Sequence, residues 1–267
     1  MSIHSGMTKM RRTFVIDCLP ESVIRYQSGW TVVVVDVIRA TTTAVTAVSA
    51  GRRCFPVPTV ESALELAGKL ENPVLAGETS GIRPHSFEMD NSPAQLASRT
   101  DHHRPLVLVS SSGTKVIHGA AEADAVYLGC YRNYSALTEH LASRHSRVAI
   151  IGAGSKGEFR EEDQICCGWI GAGLAERGYA AASRQTSAVV ERWRRASADA
   201  CLCSRSVDFL KRTGQLGDLS FILSHVDDLN SVFRMQDGEV QMAAGRYALA
   251  PGPWERETPP QPFSAAD

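Results

Sequence analysis

The stretch TVVVVDVIRATTTAV (31–45) decides the fold. Val32 to Val35 form an unbroken β-branched run without polar alternation, the pattern of a strand covered on both faces. Asp36 ends the run, and helical spacing from about Ala40 to Ala50 stops at Gly51, a residue suited to a left-handed helix end. A covered strand leading directly into a helix is the start of a βα unit.

The same pattern recurs outward from this point. TFVIDC (13–18), RCFPVP (53–58), NPVLAGE (72–78), RPLVLVSS (104–111), DAVYLG (124–129) and SRVAIIGAG (146–154) read as strands. Helices are predicted at 59–70, 93–99, 113–122, 134–144 and 162–177, with Ser92-Pro93 as a start signal. Beyond residue 180, TSAVVERWRRASADACLC (186–203) and SRSVDFLKRTG (204–214) read as helices and DLSFILS (218–224) as a strand. VFRMQDGEVQMA (232–243) reads as a hairpin about Asp237-Gly238. The predicted class is α/β, a largely parallel or mixed sheet with helices on both faces in three α/β/α layers, closed by the late hairpin. A single domain is expected over 13–246, and the Pro-rich tail 249–267 is expected to be disordered.

Composition excludes little but points one way. A net charge of −1 argues against a nucleic-acid or membrane-surface binder, which usually carries a basic excess. No apolar run approaches the roughly 20 residues that span a bilayer. The N-terminal segment lacks the apolar core of a signal peptide, and the seven cysteines form no CxxC pair. A cytoplasmic protein with reduced thiols is expected.

The unusual polar residues follow strands. Asp36 comes after VVVV, Glu78 after VLAG, Ser110 to Thr114 after LVLV, and Gly152 to Gly157 after VAII. In an open parallel sheet these positions share the carboxyl edge, where ligands bind. Arg39 with Thr41, Thr42 and Thr43 suits an anion near a helix start. SSSGTK (110–115), with Ser111, Gly113 and Thr114, is a hydroxyl and glycine loop entering a helix, without full P-loop spacing. Asp36, Glu78, Glu162 and Asp163 would supply hard oxygens to Mg²⁺, which also takes phosphate oxygens. Asp36 serves as metal ligand or as nucleophile. Aspartyl-phosphate enzymes place a second aspartate two positions on, and Ile38 stands there, which favours the ligand role. GAGSKG (152–157) fits G-x-G-x-x-G, but the acidic EFREED that follows delays the helix and opposes a pyrophosphate. His85, in the long polar segment 77–96, is expected at the surface.

Taken in order, DVIRATTTAVTAV, GETSGIRPHSFEMDNSP, SSSGTK, GCYRNYSAL and GAGSKGEFREEDQICCG resemble the successive signatures of the 2-phosphosulfolactate phosphatase family, over roughly 14–240. The resemblance implies a Mg²⁺-dependent hydrolase of a phosphomonoester on a small acidic metabolite. It implies Asp36, Arg39 and Glu78 as catalytic residues. It adds Asn91, Ser92 and Asn133 to Thr41, Thr42, Thr43, Ser111, Gly113 and Thr114 as substrate-binding residues. Asp36, Glu78, Glu162 and Asp163 are the implied metal ligands, and Gly154 also matches the last signature. The expected partner is a small phosphate ester, with no nucleic acid or membrane, and a homodimer is left open. The chain departs from the family pattern at Thr79, where arginine is usual, at Ser86, Glu88 and Asp90, and at Ser112, where asparagine is usual. These changes predict an altered substrate loop. The alternatives are a catalytically silent binder of phosphate compounds and a dinucleotide-dependent oxidoreductase using GAGSKG.

Overall fold

A computed structural model describes residues 12–155 and 157–243. The Pro-rich tail lies outside the described residues. Strands β1 (Thr13–Asp17), β2 (Thr31–Val35), β3 (Cys54–Val57), β4 (Val74–Gly77), β5 (Leu106–Val109), β6 (Ala125–Gly129) and β7 (Arg147–Gly152) fall where the apolar runs predict them. A short β8 (Ala180–Ala181) joins the edge, and β9 (Phe233–Gln236) and β10 (Glu239–Met242) form the expected hairpin. The helices are α1 (Ala40–Ser49), α2 (Val60–Ala67), α3 (Pro93–Ala97), α4 (Gly113–Gly119), α5 (Tyr134–Arg144) and α6 (Glu161–Glu176), followed by α7 (Arg184–Trp193), α8 (Arg205–Arg212) and α9 (Leu216–Ser224).

Two expectations fail locally. DLSFILS lies in α9 rather than in a strand, because a short apolar run does not distinguish the two by period alone. Its buried Leu219 and Ile222 are three apart, as one helix face requires. The segment 186–203 is not one helix: α7 ends at Trp193 and a 3₁₀ turn (Ala198–Cys203) follows.

The strands form one sheet in the order β4-β5-β3-β10-β9-β6-β2-β7-β1-β8. Pairing is parallel within β4-β5-β3 and within β6-β2-β7-β1-β8. The hairpin inserts between these halves with antiparallel pairing on both sides and within itself. Three reversals therefore set the two halves in opposite directions, and the single carboxyl edge expected of a parallel sheet does not exist. Five strand steps separate β5 from β2. In a flat sheet they would lie roughly 24 Å apart. Twist of roughly 20–25° per step turns β5 by about 100–125° relative to β2. Reversed strands so rotated cross rather than oppose, which accounts for their carboxyl ends meeting.

Helix α1 sits inside this curl. Ala40 to Ala47 are all buried, and the helix touches β3, β5, β6 and β10. One core unites Val32 and Val34 of β2 with Leu106 and Leu108 of β5 around Ala44 and Val45. Val33 and Val35 face the opposite core with Leu137, Ile165 and Ile170, while Val107 and Val109 pack with Ala63 of α2. Helices thus cover both faces of a mixed sheet, as the unalternating strands require. Among the described residues no helix is long and apolar enough to cross a membrane.

Candidate active site

The ends of β2, β4, β5 and β7 open into a cavity of about 710 Å³. Asp36, Arg39, Glu78, Asn91, Ser111 and Asp163 line it, so six of the predicted site residues come together. Asp36 lies where β2 gives way to α1. The Ala40 N–H donates to its Oδ1 at 3.1 Å, and the Gly113 N–H also bonds the carboxylate. Burial, then the negative charge of Glu78 and Glu162, pushes Asp36 up to about 7 against those two donors.

Gly113 is fixed by this approach. A Cβ there would stand 2.3 Å from Asp36 Oδ2 and 2.8 Å from Ala40 Cβ. Gly113→Ala is therefore expected to cost about 1–3 kcal/mol by overpacking. Gly217→Ala in α9, with nothing within 4 Å, should instead gain up to about 1 kcal/mol. Urea midpoints of the two variants check this, and equal midpoints would rule out the close approach.

Asp163, in the first turn of α6, reaches back to both adjoining loops. Val37 N–H donates to its Oδ1 at 2.8 Å and Gly154 N–H to its Oδ2 at 3.1 Å. Burial and the charges of Asp36 and Glu162 raise its pKa well above the aspartate range. Glu162 is fully buried, and among the described residues neither of its carboxylate oxygens completes a hydrogen bond, although the Ser204 and Ser206 hydroxyls lie beside it. Burial likewise raises its pKa. Asp36 and Asp163 at the cavity and Glu162 behind them thus repel one another as charged groups.

Arg39 approaches from the other side. Its Nη1 donates to Asp218 Oδ2 at 2.5 Å and to Gln215 Oε1, and the pair is almost wholly buried. Asp218 Oδ1 accepts from Ser92 Oγ at 2.6 Å and from Ala94 N–H at 3.0 Å. Ser92 also caps α3, as its sequence predicts, by accepting from Gln95 N–H. Asn91 Oδ1 is buried without a partner among the described residues.

Glu78 is committed structurally. Its carboxylate accepts from Ser111 N–H at 2.7 Å, Ser111 Oγ at 2.8 Å and Gly81 N–H at 2.6 Å, tying the loops after β4 and β5 together. Several other signature residues, unlike Glu78, lie away from the cavity lining. Thr41 Oγ1 donates to the Asp36 and Gly129 carbonyls, and Thr42 Oγ1 to the Val37 carbonyl. Thr43 Oγ1 is buried without a partner among the described residues. Thr114 exchanges hydrogen bonds with Ser110, and Asn133 bridges Cys130 N–H and the Leu128 carbonyl. Apart from Thr43, these hydroxyls and amides hold turns, and none of the residues lines the cavity. Thr79 and Ser112 line it among the departures from the family pattern, whereas Glu88 pairs with Arg99 and Arg104. His85 is exposed, as expected.

Asp218 carried no local sign in the sequence, because DLSFILS reads as a strand. Arg205, Phe209 and Arg212 of α8 also line the cavity. Their i, i+4, i+7 spacing was the one available signal, and it places them on one face of a helix. In the dinucleotide fingerprint the helix opens within the glycine motif itself. Helix α6 opens only at Glu161, and Gly154 (φ +53°) lets the Glu158 carbonyl approach where a Cβ would meet it at 2.5 Å.

A sequence profile described as 2-phosphosulpholactate phosphatase matches residues 18–238. The chain belongs to the 2-phosphosulfolactate phosphatase family. Among similar curated proteins is a "Probable 2-phosphosulfolactate phosphatase" of Pseudothermotoga lettingae, 38% identical over 138 residues, or 52% of this chain and 59% of the relative. Proteins with the same description from Clostridium tetani and Symbiobacterium thermophilum are each 36% identical, over 52% and 54% of this chain and 60% and 63% of their own lengths. The chain thus spans about three-fifths of the length of the curated relatives it matches.

Proposed function

We propose that this member of the 2-phosphosulfolactate phosphatase family is a Mg²⁺-dependent phosphatase of a small acidic phosphomonoester, its substrate loop altered from the family pattern. The observation that carries the reading is the meeting of buried Asp36 and Asp163 with the Arg39 guanidinium in one cavity. Among the described residues no three acidic, imidazole or thiol groups form a ready metal cage. Mg²⁺ needs none, since it binds through one or two carboxylates plus water and substrate phosphate. The orphaned Glu162 oxygens and the raised pKa values of all three carboxyls fit a cation at this end.

Asp36 and Asp163 would hold the ion, with Glu162 adding negative charge behind them. When bound, Mg²⁺ would neutralise the phosphoryl oxygens as the ester bond breaks. Arg39, oriented by Asp218, would bind a non-bridging oxygen, and Asn91 would contribute a further polar contact. Glu78 would keep the two loops at the spacing the phosphoryl group requires. Water supplies the oxygen that remains on inorganic phosphate, and the alcohol leaves with a proton. Backbone N–H groups clamp the Asp36 carboxylate, which favours its role as a ligand over that of a nucleophile.

Phosphate release from a panel of phosphorylated hydroxy acids, sugar phosphates and nucleotides tests the reading. Release with Mg²⁺ and its loss in chelator are expected. Binding of these esters without any release would instead favour a catalytically silent binder.

A further inference from the structure

We propose that Arg205 and Arg212 of α8 form a second anion subsite that reads a carboxylate on the substrate, an inference that rests on the phosphatase reading above. The cavity is far larger than a phosphoryl group needs, and its volume lies in the range that takes a drug-sized ligand. Its inner end holds Asp36, Asp163 and Arg39, so the remaining volume receives the rest of the ester.

Helix α8 forms one wall of that volume. Arg205, Phe209 and Arg212 lie at i, i+4 and i+7 and all line the cavity, so one face of the helix presents cation, ring and cation. Seven residues of helix place the two arginines about 10 Å apart along the axis. Phe209 anchors the stripe: a Cβ on Gly81 (φ +83°) would stand 2.9 Å from its ring, so the loop after Glu78 packs on it. Arg205 is paired with Glu158, which also meets Arg160. Arg212 has no carboxylate partner among the described residues, and its Nε donates only to the Asp208 carbonyl. A guanidinium fork free at a cavity wall matches a carboxylate in two parallel hydrogen bonds. The two arginines also border an outer groove with Asp208 and Lys211; Lys211 lines that groove but not this cavity, which makes it an internal control.

The test uses two phosphonates that cannot be hydrolysed, 3-phosphonopropionate and propylphosphonate, measured by calorimetry with Mg²⁺ present. Wild type is expected to bind the carboxylated compound about tenfold more tightly, equivalent to about 1.4 kcal/mol. Arg205→Gln/Arg212→Gln should abolish that preference and leave propylphosphonate binding unchanged, while Lys211→Gln should keep the preference. No preference in wild type, its survival in the double variant, or an equal loss in Lys211→Gln would each overturn the subsite. Steady-state kinetics add a separate readout: the double variant should raise KM about tenfold for a carboxylated ester, with kcat within about twofold. If wild type shows the binding preference but releases no phosphate, the phosphatase reading fails and the subsite stands.

Discussion

Asp36→Asn is expected to lower phosphate release on the order of 10²–10³-fold and, at pH 8 in chelator, to raise the protein's stability. The two effects share a cause. A buried aspartate raised from its ordinary value to about 7 holds a charge that the fold disfavours, with a ceiling of roughly 4 kcal/mol. The folded pKa lies above the unfolded one, so this carboxyl's contribution is fully present below about pH 4 and is lost as pH rises through about 7. Wild type without metal should therefore lose stability between pH 4 and 8, and Asp163 and Glu162, both raised, add in the same direction. Asparagine removes the charge but presents an amide where Gly113 N–H needs an acceptor, a loss of about 1 kcal/mol. The variant is thus expected to be slightly less stable than wild type at pH 5 and more stable at pH 8. Denaturant titrations at both pH values decide the matter, since parallel curves would remove the crowded-carboxyl account. Mg²⁺ should stabilise wild type more than the variant at pH 8.

Asp218→Ala should be the most damaging single change to stability, at about 3–5 kcal/mol, because it leaves the Arg39 guanidinium buried and unpaired. Ser92 Oγ and Ala94 N–H lose their acceptor at the same time. Burying a pair is costly in itself, so Arg39→Met/Asp218→Leu should recover most of the lost stability. That double variant should still release no phosphate, because the guanidinium is gone. A double variant that retains activity would separate Arg39 from the chemistry, whereas failure to recover stability would place Asp218's importance in its contacts with α3.

How much of this was legible in the sequence differs from residue to residue. TVVVVD required a strand covered on both faces, and β2 is buried along its whole length. The Ser92-Pro93 start and the Asp237-Gly238 hairpin are local chemistry and lie where the sequence puts them. That Asp36, Arg39 and Asp163 would come near one another was legible because each follows a strand or opens a helix, and all three line the cavity. The threonines were legible as hydrogen-bonding groups but not in their direction, and Thr41 and Thr42 turn to backbone carbonyls. The helix at DLSFILS was not legible, since an apolar run of that length suits either period.

The sequence by itself determined the strands, most helices, their caps and the family, because these depend on the spacing of residues near one another in the chain. Tertiary structure alone decided where the candidate site lies. Antiparallel insertion of β9 and β10 reverses half the sheet, and accumulated twist brings the end of β5 back against the end of β2. Partners such as Asp218, 179 residues from Arg39, then meet it through burial and charge pairing, which local pattern does not encode.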